Sequence, residues 1–310
     1  MSKVAWLAPL FLGACVNVNL KDLVQDRIEE SFLQGSADAR EKIVLVPVQG
    51  IILDLPRQTP GTTGPERIRE YLNALRKDSN VKGIILEIDS PGGSANASDT
   101  IHRMILDFKE ETRLPVVALC GDMAASGGYY VACAADTIVA APMSLCGSVG
   151  VIAYHMNVEP LLREKLAIQV ETLKSGEYKD TASPFRSLEE KDRVTLQGML
   201  DSAYARFAGV VSEARGLQGD RLKAATEGRI FMGDQAKAAG LVDSTGYLDD
   251  AVRIVQSRAG IDQAKVVRYA KFAGLGSMLR SESPLPLMET AEALRSCGPR
   301  PLYFWLASIP

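Results

Sequence analysis

Histidine and tryptophan are nearly missing from this chain, with two of each among 310 residues. His102 and His155 are the only imidazoles, and the five cysteines, Cys15, Cys120, Cys133, Cys146 and Cys297, are odd in number and include no CxxC pair. That supply argues against a zinc site, and neither a metal nor another cofactor is expected. An excess of positive charge is missing too: 35 Lys and Arg face 38 Asp and Glu, for a net charge of −3. Nucleic-acid binding driven by bulk charge therefore has no basis. The phosphate-cradling patterns GxGxxG and GxxxxGK[ST] do not occur, and no internal repeat is visible. With 46% hydrophobic and 24% charged residues the chain is not of the disordered class, and its length allows a substantial core. Small molecules or peptides are the partners this composition favours. Cys120, Cys133 and Cys146 lie among apolar and small residues, the setting of packed core thiols rather than of redox chemistry.

The N-terminus reads as an export signal. MSKVAWLAPLFLGACVNVNL places Lys3 before an uncharged run over 4–14, too short to cross a bilayer as a helix but long enough for a signal-peptide apolar region. Leu12-Gly13-Ala14-Cys15 is similar to a bacterial lipobox, which makes Cys15 a candidate lipidation site and membrane tether. A plain signal sequence is the alternative. The chain then divides into a signal peptide over 1–15, a polar tether over 16–40, a folded domain over 41–260 and a C-terminal extension over 261–310. The extension ends in CGPRPLYFWLASIP, hydrophobic and aromatic where disordered ends are ordinarily polar.

Within the folded domain, strands and helices alternate. Apolar, β-branched runs predict strands over 42–54 (with a turn at Gly50), 81–89, 116–120, 137–141, 149–154 and 169–173. Helices are expected over 65–77, with Ile68, Tyr71, Leu72 and Leu75 on one face, over 97–109, after Ser126, over 159–166 and over 188–215. The long last helix carries Val194, Leu196, Met199, Leu200, Tyr204, Phe207 and Val211 in its apolar rows. This is an α/β pattern, a largely parallel sheet covered by helices.

Two glycine-rich turns follow strands in this pattern: SPGGS over 90–94 and ASGG over 125–128. In a parallel sheet both strand ends face one edge, where the turns can lie side by side. Ser126 then opens a helix, and the Gly127 and Gly93 amides become candidate donors to a substrate oxyanion. The arrangement suits acyl transfer, but a serine needs a base. A purely structural use of the same glycines, close packing of helix on sheet, is equally compatible with the local pattern.

GDMAASGGYYVACAADTIVAAPMSLCGSVGV, with LKSGEYKDTASPFRSLEEKDR and GRIFMGDQAKAAGLVDSTGYLDDAV after it, resembles the signal peptide peptidase A family of Ser–Lys serine proteases, over about 43–256. The resemblance implies a crotonase/Clp protease-like fold, Ser126 as nucleophile and Lys179 as general base. It also implies Ser148 as the lysine-orienting residue, and Gly93 and Gly127 as the oxyanion hole. An ordinary lysine, near 10.4, is protonated at neutral pH. A basic Lys179 therefore needs an apolar setting with hydroxyl partners, and Asp180 must point away from it. His155, 29 residues after Ser126, is the rival base of a Clp-like Ser-His-Asp arrangement, and a crotonase-type acyl-CoA enzyme is a further alternative. His102 has no partner motif and reads as a surface residue. The family implies hydrophobic peptide substrates, remnant signal peptides among them, bound as an added strand. It further implies a homo-oligomeric ring, often an octamer, in which serine and lysine can come from different subunits. The expected location is the bacterial cell envelope, membrane-anchored through the lipid or signal segment, with the catalytic domain outside the cytoplasm. The tail PLYFWLASIP resembles such a substrate and is expected either to dock at the groove and be trimmed or to pack on a neighbour.

Overall fold

The computed structural model describes residues 27–55, 59, 61–272 and 302–304. Cys15, Cys297, the signal segment and most of the C-terminal extension lie outside the described residues. The centre of the fold is two parallel strands, β2 (Lys42–Ile52) and β4 (Val81–Ser94). Side chains alternate across a strand. Val44, Val46 and Val48, with Ile84, Leu86 and Ile88, enter one apolar layer, whereas Ile43, Leu45 and Ile85 enter the other. Both faces are buried, as parallel sheets require, and each such side chain contributes about 1.5–3 kcal/mol relative to exposure.

The full order is β1 (Arg27–Gly35), β10 (Lys265–Phe272), β2, β4, β5 (Val116–Ala125), β6 (Thr137–Ala140) and β9 (Ser244–Thr245). Every neighbouring pair from β10 to β9 is parallel, and only β1 with β10 is antiparallel. Short strands β3 (Thr62–Thr63), β7 (Leu145–Gly147) and β8 (Ile230–Met232) attach beside this path. One face is covered by α1 (Pro65–Lys77), α2 (Ala95–Thr112), α3 (Gly127–Ala132) and the end of α4 (Glu190–Arg215). α5 (Gly219–Ala225) and α6 (Gly233–Ala238) complete that side, and α7 (Leu248–Ala259) covers the other. Pro65 opens α1, where its missing N–H leaves nothing unsatisfied, and Ile68, Tyr71, Leu72 and Leu75 are buried as their spacing predicts. Ser94 caps α2 by accepting from the Ala97 N–H.

The structure revises the sequence reading in three places. Within the stretch read as a polar tether, residues from Arg27 form β1, with Ile28 packed on the core and Glu30 paired to Lys42 at 2.8 Å. An edge strand needs only one apolar face, so its charge disguised it. β10 comes from the expected extension, and its buried Val266, Val267 and Tyr269 carry the folded unit to Phe272. Third, the strands expected over 149–154 and 169–173 do not form beyond an isolated bridge at Ile152, whereas the helix expected over 159–166 is present over 159–165, with Leu161–Lys165 wound as a π-helical turn. Residues 150–187 instead form an exposed arm on which Tyr154, Met156, Ile168, Val170 and Leu173 are exposed, with no neighbouring strand among the described residues to complete a ladder. In α4, Phe207 and Val211 are buried, while Val194, Met199 and Tyr204 of the same rows are exposed.

Candidate active site

The parallel pairing of β5 with β7 sets Ala125 opposite Gly147. The next residue in each chain segment is a serine, so Ser126 and Ser148 leave the ladder from neighbouring positions. The Ser126 N–H donates to the Gly147 carbonyl at 2.8 Å. Both serines leave their strands with positive φ, 52° and 51°, a backbone conformation costing of order 1–3 kcal/mol for a non-glycine residue. Both are buried, at 1% and 8% exposure. A strained serine between a strand end and a helix start is the geometry of a nucleophile elbow.

The opposite wall is the 90–94 turn of β4. A Cβ on Gly127 would lie 3.3 Å from the Gly93 nitrogen, and one on Gly93 would lie 2.1 Å from the Ile52 carbonyl oxygen. Only glycine fits at Gly93, against β2, and the missing side chain of Gly127 lets the two turns meet. Two buried serines, which the sequence reading passed over, hold this turn. Ser90 Oγ donates to Gly50 O at 2.6 Å and accepts the Gly92 N–H at 3.1 Å, and Ser98 Oγ donates to Ser94 O at 2.9 Å. The serine that opens SPGGS was the available signal. β11 (Leu302–Phe304) pairs antiparallel with β4, Leu302 opposite Ser94, Tyr303 opposite Gly93 and Phe304 opposite Gly92, and it also lies against α3.

α3 is anchored on both sides. Tyr129 donates to Leu241 O at 2.6 Å, and Tyr130 donates to Asp99 Oδ1 at 2.5 Å, where Arg206 of α4 also donates. His102 is not a surface residue: it is buried edge-on to Tyr130, with ring centroids 5.2 Å apart. Desolvation lowers its pKa to about 4. Its place with Ser98, Ile101 and Ile105 on the inward face of α2 was legible in the spacing. Cys120, Cys133 and Cys146 are free and buried. Burial pushes the Cys133 thiol up to about 12, and the hydrogen bond with Cys146 together with burial raises Cys120, so neither supplies a thiolate nucleophile.

Ser126, Ser148, Gly93 and Gly127 are thus gathered at one edge of the sheet, while both candidate bases lie on the arm. Lys179 is exposed there, with no bond to either serine within one chain. His155 is half-buried, and its Nε2 has no partner among the described residues. Cys15, the candidate lipidation site, falls outside the described residues.

Residues 109–262 match the model of peptidase family S49, and residues 52–145 match that of Clp protease. A relative named for signal peptide peptidase SppA in Enterococcus faecium is 34% identical over 244 residues, covering 78% of this chain and 70% of that protein. The chloroplastic serine protease SPPA of Arabidopsis thaliana is 33% identical over 243 residues, 77% of this chain and 36% of its own. Protease 4 of Salmonella typhi is 34% identical over 231 residues, 74% of this chain and 37% of its own. The chain therefore spans little more than a third of the latter two. Identity of a third, sustained over most of the chain, is the mark of common descent: the chain belongs to peptidase family S49, the signal peptide peptidase A family of serine proteases.

Proposed function

We propose that the chain is a Ser–Lys endopeptidase of hydrophobic peptides, remnant signal peptides among them, in which Lys179 of one subunit activates Ser126 of an adjacent one. The supporting observation is a division of parts. A buried, strained Ser126 lies near Ser148 and the Gly93 and Gly127 amides, while Lys179 rides on an exposed arm whose apolar side chains none of the described residues covers. Docking that arm and the bare apolar row of α4 against a second copy would bury both, and a closed homo-oligomeric ring, an octamer by the family resemblance, satisfies every copy alike.

In the docked site the Lys179 amine acts as general base and takes the Ser126 proton as Oγ attacks the scissile carbonyl. Ser148 orients the amine, and the Gly93 and Gly127 N–H groups receive the oxyanion, where a single donor is worth about 10²–10³ in kcat. The resulting ammonium protonates the leaving amine. Water, deprotonated by the same lysine, then releases the acyl group from Ser126. The substrate binds as a strand on residues 92–94, and the seating of β11 there supports this mode. The enzyme acts at the bacterial envelope, membrane-anchored through the N-terminal signal segment or a lipid on Cys15, with its catalytic domain outside the cytoplasm. No helix among the described residues is long and apolar enough to cross a membrane.

Cleavage of a fluorogenic hydrophobic peptide tests this reading. Ser126→Ala and Lys179→Ala are expected to be inactive alone and to regain activity when mixed into one ring, while His155→Ala stays active. His155, whose Nε2 lacks a partner, carries the second reading. Loss of activity in His155→Ala with retention in Lys179→Ala would replace the dyad by a Clp-like triad. The acyl-CoA alternative falls with membership of a peptidase family.

A further inference from the structure

The Lys179 loop contains a carboxylate in the worst position for a lysine base, the adjacent Asp180. Its partners are elsewhere. Arg186 donates to it twice, through Nε to Oδ2 at 2.8 Å and through Nη2 to Oδ1 at 3.0 Å, and Lys174 Nζ reaches Oδ1 at 2.7 Å. The third nitrogen of the guanidinium, Nη1, donates to Asp192 Oδ2 at 2.5 Å, and the Asp192 side chain is fully buried. Asp192 is fixed at the start of α4 by the Glu189 N–H at 3.0 Å and by Thr181 Oγ1 at 3.0 Å. Arg186 therefore bridges the loop to a rigid helix end, with the planar fork that a lysine cannot reproduce.

We propose that Arg186 is a positioning residue for the Lys179 amine: clamped between Asp180 and Asp192, it keeps the neighbouring carboxylate off that amine and fixes the arm on α4. The inference rests on Lys179 being the base. The hydrogen bonds from Arg186 and then Lys174 hold the Asp180 carboxyl well below the usual carboxylate range, and the bond from Arg186 does the same for Asp192. Both are thus charged at any working pH, and without Arg186 the Asp180 anion, one residue from the amine, would be held by Lys174 alone and no longer tied to α4. Several other charged groups of the loop and its neighbours are paired. Glu177 and Glu189 pair with Lys191, and Glu159 and Glu164 pair with Arg163 on the adjoining turn.

The test is the acidic limb of the kcat profile for peptide hydrolysis, which reports the pH at which the base becomes protonated. Arg186→Gln is expected to move that limb upward by about one pH unit or more, the effect of a new opposite charge beside a titrating group, and to lower activity at neutral pH about tenfold. Adding Asp180→Asn to Arg186→Gln is expected to bring the limb back, a rescue that a merely structural role does not produce. If Arg186→Gln does not fold, as judged by its melting temperature, Arg186→Lys is read instead. It keeps one donor and the charge, and is expected to hold the limb near its original pH at reduced kcat. An unmoved limb in Arg186→Gln, or a loss of activity that Asp180→Asn does not repair, overturns the proposal. Full activity of Lys179→Ala overturns the base itself, and is recognised separately because it needs no change at Arg186.

Discussion

Replacing Gly93 with alanine puts the proposed oxyanion hole to a quantitative test. The new methyl would sit 2.1 Å from the Ile52 carbonyl oxygen and 2.8 Å from the Ile52 nitrogen and carbonyl carbon. Those are backbone atoms of β2, paired with β4 at this very register, so no side-chain rotation relieves the clash. The turn must move by about 1 Å, and a misplacement of that size at a reacting centre costs roughly 10²-fold. Loss of one oxyanion donor costs about 10²–10³-fold in kcat, or about 3–4 kcal/mol. Overpacking of this kind destabilises a fold by about 1–3 kcal/mol, within reach of a domain of this size. Gly93→Ala is therefore expected to remain folded with a lowered melting temperature and to lose two to three orders of magnitude in kcat. Gly127→Ala is expected to be milder in stability, because its closest obstacle, at 2.4 Å, is the Ser98 hydroxyl, which can rotate. Peptide hydrolysis and thermal unfolding measured on the same samples decide the matter. Wild-type kcat in a destabilised Gly93→Ala protein would refute Gly93 as a donor, and an unchanged melting temperature would refute the crowding itself.

Four further outcomes are expected. His102 is neutral in the fold at about 4 and titrates near 6.5 when unfolded, so the unfolded chain binds the extra proton between those values. Stability therefore falls as pH drops from about 6.5 to about 4, by at most about 3 kcal/mol, and His102→Phe should flatten that part of a denaturation series. Phe207→Ala, which empties the contact with the Tyr130 ring at 4.9 Å, is expected to cost about 3–5 kcal/mol in urea unfolding. Val194→Ser on the exposed row of the same helix should change chain stability by less than about 0.5 kcal/mol, yet shift sedimentation toward smaller species if that row is an interface. For the tail, intact mass of the wild type beside Ser126→Ala shows whether the enzyme trims itself; a full-length C-terminus in both proteins rejects self-processing.

The sheet was legible because burial on both faces leaves apolar runs, as in 43–48 and 84–86, and the helices because Ile68, Tyr71, Leu72 and Leu75 repeat at helical spacing. The serine turn was legible as a pattern, but the register of β5 on β7, which places Ser148 beside Ser126, belongs to pairing that no local spacing encodes. The arm was misread for a physical reason. Ile168, Val170 and Leu173 have strand-like chemistry, but a strand exists only where a neighbour completes its ladder, and among the described residues they have none. β1 was missed for the opposite reason, since Arg27, Glu29 and Glu30 gave a half-exposed edge strand the composition of a linker.

A protease that reads peptides by backbone pairing has to leave a length of sheet edge vacant, and a vacant edge welcomes any extended chain, including one belonging to an aggregating neighbour. In this fold the vacancy opens after Ser90, the last residue of β4 matched to β5, and residues 92–94 are matched instead to Leu302–Phe304. On the proposed strand-addition mode, a substrate therefore enters by competition. It must out-pair a short hydrophobic strand that is always at hand at high effective concentration, which sets a threshold that loosely bound peptides fail to reach. Folded proteins, whose strands are already spoken for, present no competitor at all, and the enzyme is left with the detached, extended, apolar segments that pair best.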